Sequence, residues 1–370
     1  MPLLIEVVEK IDDNSELLVA LCKQIAIICK TYNNAKSICA SDMLKLLETI
    51  GSNDDCDVRN KACSTLGEVS SLLCDEEFEE YYLPIVKRLC KGDLYPLKIG
   101  GSLLIPTCYS RIDQVTQTLL LSIYKDLSKD DTPMVRRAAA TIIGKMSETV
   151  NALQIKTDIL PIFQSLVKDE QDAIKVALIE NSLPLFRLCK KEDSIEVLFQ
   201  SVKACSEDKK SWRLRYIIAE ILSQIVPSID SDIATNCVVP IICALLVDSE
   251  HEVRSVMVST LGGFSTNLNK DEYSKKMLPL LCEKTLKDSS EYVRISLAKV
   301  AGSLCSQLGN DQTKPQLFAL VNGILADENS EVRINALENL SPLLSILNAL
   351  KLRPYYYQQL NSLLWISVGE

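Results

Sequence analysis

Apolar residues recur along the chain in two kinds of stretch. In the first kind they stand three and four apart, as in Val135, Ala138, Ala139, Ile142, Ile143 and Met146, or Val253, Val256, Met257, Leu261 and Phe264. That spacing places them on one face of a helix and predicts an amphipathic helix with one buried side. The second kind carries a proline at a fixed place: Pro84, Pro161, Pro240 and Pro279 each stand eight or nine residues ahead of an aspartate. Proline fits the first turn of a helix, where its missing N–H is not needed, or a fixed kink.

Polar turns separate the two kinds, and most read Asp-x-x-x-x-Val-Arg. They lie near 12–18, 53–59, 93–98, 130–136, 169–175, 208–215, 248–254, 288–294 and 327–333, with the first keeping the acid but not the base. The basic residues Arg59, Lys98, Arg136, Lys175, Arg215, Arg254, Arg294 and Arg333 follow one another at intervals of 38 to 40 residues. A fixed period of this length, with one helix before the turn and one after, is the signature of stacked helical hairpins. The expected fold is therefore all-α, an α-α superhelix of HEAT or armadillo type, running as one solenoid of about nine repeats over 1–370. Eight residues past the base a small residue recurs (Gly67, Gly144, Ser223, Gly262, Gly302, Ser341). Glycine inside a helix costs about 1 kcal/mol relative to alanine, so close approach of the neighbouring repeat is the expected reason.

The periodic charges have a structural use. Asp130, Asp169, Asp208, Asp248, Asp288 and Asp327 can each cap the helix that follows. Arg59, Lys175, Arg215, Arg254, Arg294 and Arg333 can each reach the acid of an adjacent layer, giving a ladder along the stack. An exposed rung would contribute only about 0.2–1 kcal/mol, so its main effect would be register.

Composition narrows the function. Aromatics are 5% against 47% hydrophobic residues, leaving the core to aliphatic side chains, and the net charge of −9 argues against nucleic acid as the main partner. No apolar run is long enough to cross a bilayer, and no signal peptide is expected from the first residues, where Glu6 breaks the apolar stretch. The 14 cysteines include no Cys-x-x-Cys pair and sit mostly in apolar stretches, which suits buried thiols in the cytoplasm, with the nucleus a second compartment left open. The single histidine, His251, lies in a turn, and no phosphate loop, dinucleotide fingerprint or zinc-protease motif occurs. No catalytic residue, metal ligand or cofactor site is expected.

Two turns depart from the pattern. In 130–136 a proline, Pro133, stiffens the loop and a second arginine, Arg137, follows the base. The turn at 208–215 is one residue longer and holds Ser211, Trp212 and Arg213. Trp and Arg dominate interface hot spots, so this turn reads as partner surface; the other reading has Trp212 folded back as a lid between repeats. The strings Thr-Pro-Met-Val-Arg-Arg-Ala-Ala-Ala at 132–140 and Ser-Trp-Arg-Leu-Arg-Tyr at 211–216, with Leu-Pro-Ile-Val-Lys-Arg-Leu at 83–89, resemble the HEAT-repeat scaffold (A, or 65-kDa regulatory) subunit of protein phosphatase 2A. The likeness runs from about residue 2 to about residue 340.

That resemblance implies a non-catalytic scaffold. Turns of the early repeats would hold an exchangeable regulatory (B-type) subunit, and those of the last five repeats the catalytic subunit. By position it makes Pro133, Arg136, Arg137, Ser211, Trp212 and Arg213 contacts for the regulatory subunit, with Asp54 and Asp55 in an acidic turn used the same way. Leu94 and Tyr95 stand where the family has a Trp-Phe pair, so a contact there is expected to be altered. The segment 350–370 is unusually aromatic and lacks the turn motif; the repeats that would hold the catalytic subunit are expected only in a longer form. The competing reading is another HEAT or armadillo adaptor, a transport receptor or assembly platform, working through its concave helix faces.

Overall fold

The computed structural model describes residues 14–31, 40–189, 192–264, 268–308 and 313–339. Asp12, Ser341 and the segment 350–370 lie outside these. The chain divides into two compact units, Met1–Leu188 and Cys189–Glu370. Every described element is helical, and in each unit described helices pair into hairpins around the turns at 53–59 through 327–333, while the turn expected near 12–18 lies partly outside the described residues.

In the first unit the second helices of successive hairpins, Ser15–Thr31, Cys56–Ser70, Tyr95–Cys108, Pro133–Thr141 and Asp172–Glu180, pack one on the next. In the second unit Trp212–Ile225, His251–Thr260, Glu291–Leu308 and Ser330–Glu338 do the same. The apolar stripes face inward as the spacing requires: Val135, Ala139, Ile142, Ile143 and Met146 are buried, as are Val253, Met257, Leu261 and Phe264. Val256 is only half-buried. Tyr124, fully buried, donates its hydroxyl to the Ala139 carbonyl at 2.9 Å and ties one hairpin's two helices together.

The recurring proline place has a specific structural form. Pro84, Pro161 and Pro240 each follow a single wide π-turn, Phe78–Tyr82, Ile155–Ile159 and Ala234–Val238, before the helix resumes as Leu83–Lys91, Leu160–Leu166 and Val239–Leu245. A proline ring crowds the carbonyl four residues back and offers no N–H to it, and a local π-turn absorbs both effects. Each of these three prolines thus lies in the first turn of the α-helix that resumes after the π-turn. Pro279 lies within the regular helix Lys270–Glu283.

Among the small residues, Gly144 is the clearest case of close approach. A Cβ built there would stand 2.3 Å from the Asn181 carbonyl oxygen and 3.0 Å from Pro184, both in the next repeat. Among the described cysteines none is bridged; Cys63, Cys90 and Cys305 are buried, and burial pushes the Cys63 and Cys305 thiols up to about 12. No helix among the described residues is long and apolar enough to cross a membrane.

Candidate functional site: the ridge of turns

Each turn is built by its aspartate. Asp130, Asp169, Asp208, Asp248, Asp288 and Asp327 accept a hydrogen bond from the amide two residues on, at 2.9–3.0 Å. This closes an Asx-turn ahead of the helix. The expectation that these acids cap the helix itself is corrected, because the chain needs two more residues before its amides point along the helix axis. True side-chain caps come from Asp55, which accepts from the amides of Asp57 and Val58, and from Asn329, which accepts from Glu331.

The arginine six or seven residues on does two things at once. Its Nη1 donates to carbonyls of its own turn, as Arg254 does to Asp248 at 2.7 Å and Ser249 at 3.2 Å. Its Nε and Nη2 grip the carboxylate of the next layer side by side. These rungs are Arg136–Asp169, Arg215–Asp248, Arg254–Asp288 and Arg294–Asp327, with Nε–Oδ2 distances of 2.6–2.8 Å; Lys98 makes a single-point rung to Asp130 at 2.7 Å. The ladder therefore exists, but its rungs are not exposed. Side chains of the Arg215–Asp248 pair are only 4% and 8% accessible. Planar, two-point pairing of this kind fixes orientation as well as distance.

The electrostatics follow from that geometry. Burial pushes the Asp169 and Asp288 carboxyls up, but the guanidinium of Arg136 or Arg254 and the turn amide more than offset it, and both end below the usual carboxylate range. Asp130 ends low for the same reasons, with Lys98 as its partner. The hydrogen bond to its acid holds each of Arg136, Arg215, Arg254 and Arg294 above the ordinary arginine value.

The ladder is interrupted in the early repeats. Arg59 keeps its bonds to the Asn53 and Asp54 carbonyls, yet no carboxylate meets it, and its buried Nε has no partner. The cause is one missing residue: Asp93 stands five positions before Lys98 where the other acids stand six or seven before their base, and Gly92 takes the acid's place. One layer earlier, acid and base are both replaced, by Asn53 and Leu18, and Ser15 donates to Asp55 at 2.7 Å instead. Lys175 reaches Asp172 of its own turn at 3.3 Å. Arg333 bonds the Asp327 and Glu328 carbonyls of its own turn.

The residues singled out as partner contacts divide into two groups. Arg136 is committed to its rung, Ser211 is buried at 5% exposure, and Asp55 is occupied as a cap, so these three shape the turns from within. Asp54, Pro133, Arg137 and Arg213 are exposed, as are Leu94 at 66% and Tyr95 at 39%. Trp212 opens its helix 40% exposed, with its edge against Tyr216 and the Arg213 guanidinium 5.6 Å from its ring, so it is not a closed lid. Sequence reasoning passed over Met134, 56% exposed between Pro133 and Val135, although its place inside the irregular turn was a signal. It also missed Tyr292, 60% exposed, because a tyrosine in an otherwise regular turn gives none.

Within the ridge, Asp55, Cys56 and Asp57 bring three ligand-type atoms within 4.8 Å of one another. The Asp55 carboxylate is already spent on two amides and the Ser15 hydroxyl, which explains the cluster as a cap.

Repeated hairpins, inward stripes and a ladder of turns define a helical-repeat protein of the HEAT class. Comparison with known proteins agrees: residues 231–309 match the PPP2R1A-like HEAT repeat family, and residues 151–267 match the PIK3R4-like middle domain. The chain is similar in sequence to the regulatory A subunits of protein phosphatase PP2A. It is 29% identical over 213 residues to that of Schizosaccharomyces pombe, covering 57% of this chain and 36% of the relative. Against that of Saccharomyces cerevisiae it is 27% identical, covering 63% and 37%. The matched part thus spans little more than a third of those relatives. Among solved structures, importin beta superposes with a TM-score of 0.59 at 14% identity over 90% of this chain and 45% of that one. Kap121p bound to Ste12p gives 0.62 at 12% identity, over 90% and 36%. At such identities these two establish the all-α superhelical fold and nothing further.

Proposed function

We propose that the chain is a non-catalytic scaffold subunit of a protein phosphatase 2A-type complex, and that it holds a regulatory (B-type) subunit on the ridge of turns. One observation carries this reading. In a chain related to the PP2A A subunits, the irregular turns at 130–136 and 208–215 present Pro133, Met134, Arg137, Trp212 and Arg213 to solvent while the periodic charges are consumed inside the stack. A ladder that satisfies itself leaves the ridge's irregular residues to do the binding, and exposed Trp and Arg are the residue types that bind best. In the first unit Leu94 and Tyr95 are exposed on their turn as well. The catalytic subunit joins where further repeats of the same kind follow. We place the protein in the cytoplasm, in keeping with its many unbridged cysteines.

The test is capture of a purified B-type regulatory subunit by the tagged full chain. Trp212→Ala combined with Arg137→Glu is expected to abolish capture while the helical circular dichroism stays unchanged. Undiminished capture by a folded double variant would refute the assignment.

A further inference from the structure

Two rings on the second unit's ridge have no part in the reading above. His251 and Tyr292 belong to successive turns, 248–254 and 288–294, and they stack with centroids 6.1 Å apart and planes 20° from parallel. Tyr292 is 60% exposed and the His251 side chain 46%, so both rings are accessible to a partner. The two turns that carry the pair are joined to each other. The Arg254–Asp288 rung joins the same two turns, Ser255 Oγ donates to the Tyr292 carbonyl at 3.3 Å, and Ser255 and Ser296 share a hydrogen bond of 2.8 Å. A surface fixed in advance loses little freedom on binding.

The charge around it selects the partner. Glu250, Glu252 and Glu291 are exposed on these turns, while Glu328 of the next turn pairs with Arg294 at 3.4 Å. Arg254 and Arg294, the bases of the same turns, are neutralised inside their rungs. The preceding turn has the opposite character, with Lys209, Lys210 and Arg213 exposed around Trp212. The ridge therefore changes sign within the second unit, and the two stretches suit different segments.

We propose that the His251–Tyr292 stack is a second docking platform, which takes an extended arginine-containing segment of a partner protein. A guanidinium is planar, lies flat on an aromatic face, and can at the same time donate its N–H groups to flanking carboxylates. A lysine carries the same charge but cannot stack, and an acidic segment is repelled. The platform does not depend on regulatory-subunit capture at Trp212.

His251 is the chain's single histidine, so in a full chain carrying histidine ¹³C-labelled at Cε1 its one labelled C–H signal reports on the platform directly. The probe is a blocked peptide of alternating arginine and glycine, compared with lysine and glutamate versions of equal length. The expected result is a saturable movement of the His251 signal with the arginine peptide and a weaker response to lysine. Tyr292→Ala should weaken binding about tenfold, Tyr292→Phe should keep it, and Glu252→Gln with Glu291→Gln should flatten its salt dependence. Because these side chains are exposed, the variants should retain the parent helical spectrum. An unmoved signal, an equal response to arginine and lysine, or full binding by Tyr292→Ala would each overturn the proposal.

Discussion

Removing one carboxylate from the ladder exposes how much the stack depends on it. In the Arg254–Asp288 rung, Asp288 accepts from Arg254 Nε at 2.6 Å and Nη2 at 2.8 Å and closes its own turn through the Ser290 amide at 2.9 Å. Asp288→Ala deletes all three bonds and leaves a guanidinium that is 13% accessible without its counter-charge. Breaking a buried ion pair from one side costs about 3–5 kcal/mol. The arginine can partly swing toward water, which lowers the expectation to about 2–4 kcal/mol. An exposed pair provides the internal control: Arg88–Glu48, whose arginine is 58% accessible, should contribute no more than about 1 kcal/mol when Glu48→Ala removes it. Stacked repeats need not unfold in one step, so the assay is native-state hydrogen exchange resolved by peptide. Exchange should quicken in the helices His251–Thr260 and Glu291–Leu308, which the rung joins. If Asp288→Ala costs no more than Glu48→Ala, the ladder does not stabilise the stack and the reasoning fails.

Other consequences can be measured alongside. Asp130, Asp169 and Asp288 titrate below the ordinary carboxylate value, so their contribution is complete above the unfolded value of about 3.9 and disappears as pH falls through the lower folded values. Urea midpoints should be level down to about pH 4.5 and drop below it, and Asp288→Asn should remove part of that drop. Gly144→Ala forces a methyl against a backbone oxygen that cannot easily retreat, and should lower stability by about 1–3 kcal/mol in thermal denaturation. Cys56, which is exposed, should alkylate readily in the native chain, while Cys63, Cys90 and Cys305 are protected until it unfolds; peptide mapping after a brief maleimide pulse distinguishes them.

Over the described residues the helix–turn–helix period was legible because period and spacing are properties of the chain alone. The turns, the inward stripes and the partners of Arg136, Arg215, Arg254 and Arg294 follow from a fixed interval between acid and base. What the interval conceals is depth. Seen along the chain, an Asp-rich turn looks solvated, whereas stacking buries the rung between layers. Arg59 shows the reverse difficulty: its loss of a partner depends on a single residue missing some thirty positions away, which matters only once layers are stacked. Ser211 and Arg136 carried the right sequence context but face inward, since side-chain direction within a turn depends on where the helix begins. The His251–Tyr292 stack joins residues one repeat apart, so no local pattern announces it.

The central claim is that the irregular turns hold a regulatory subunit. Hydrogen–deuterium exchange of the full chain, with and without a purified B-type subunit, tests this most directly. The account predicts slowed exchange at 131–138 and 209–217, the turns that present Arg137 and Trp212. Protection confined to the helix faces, with both turns exchanging as in the free chain, would contradict it.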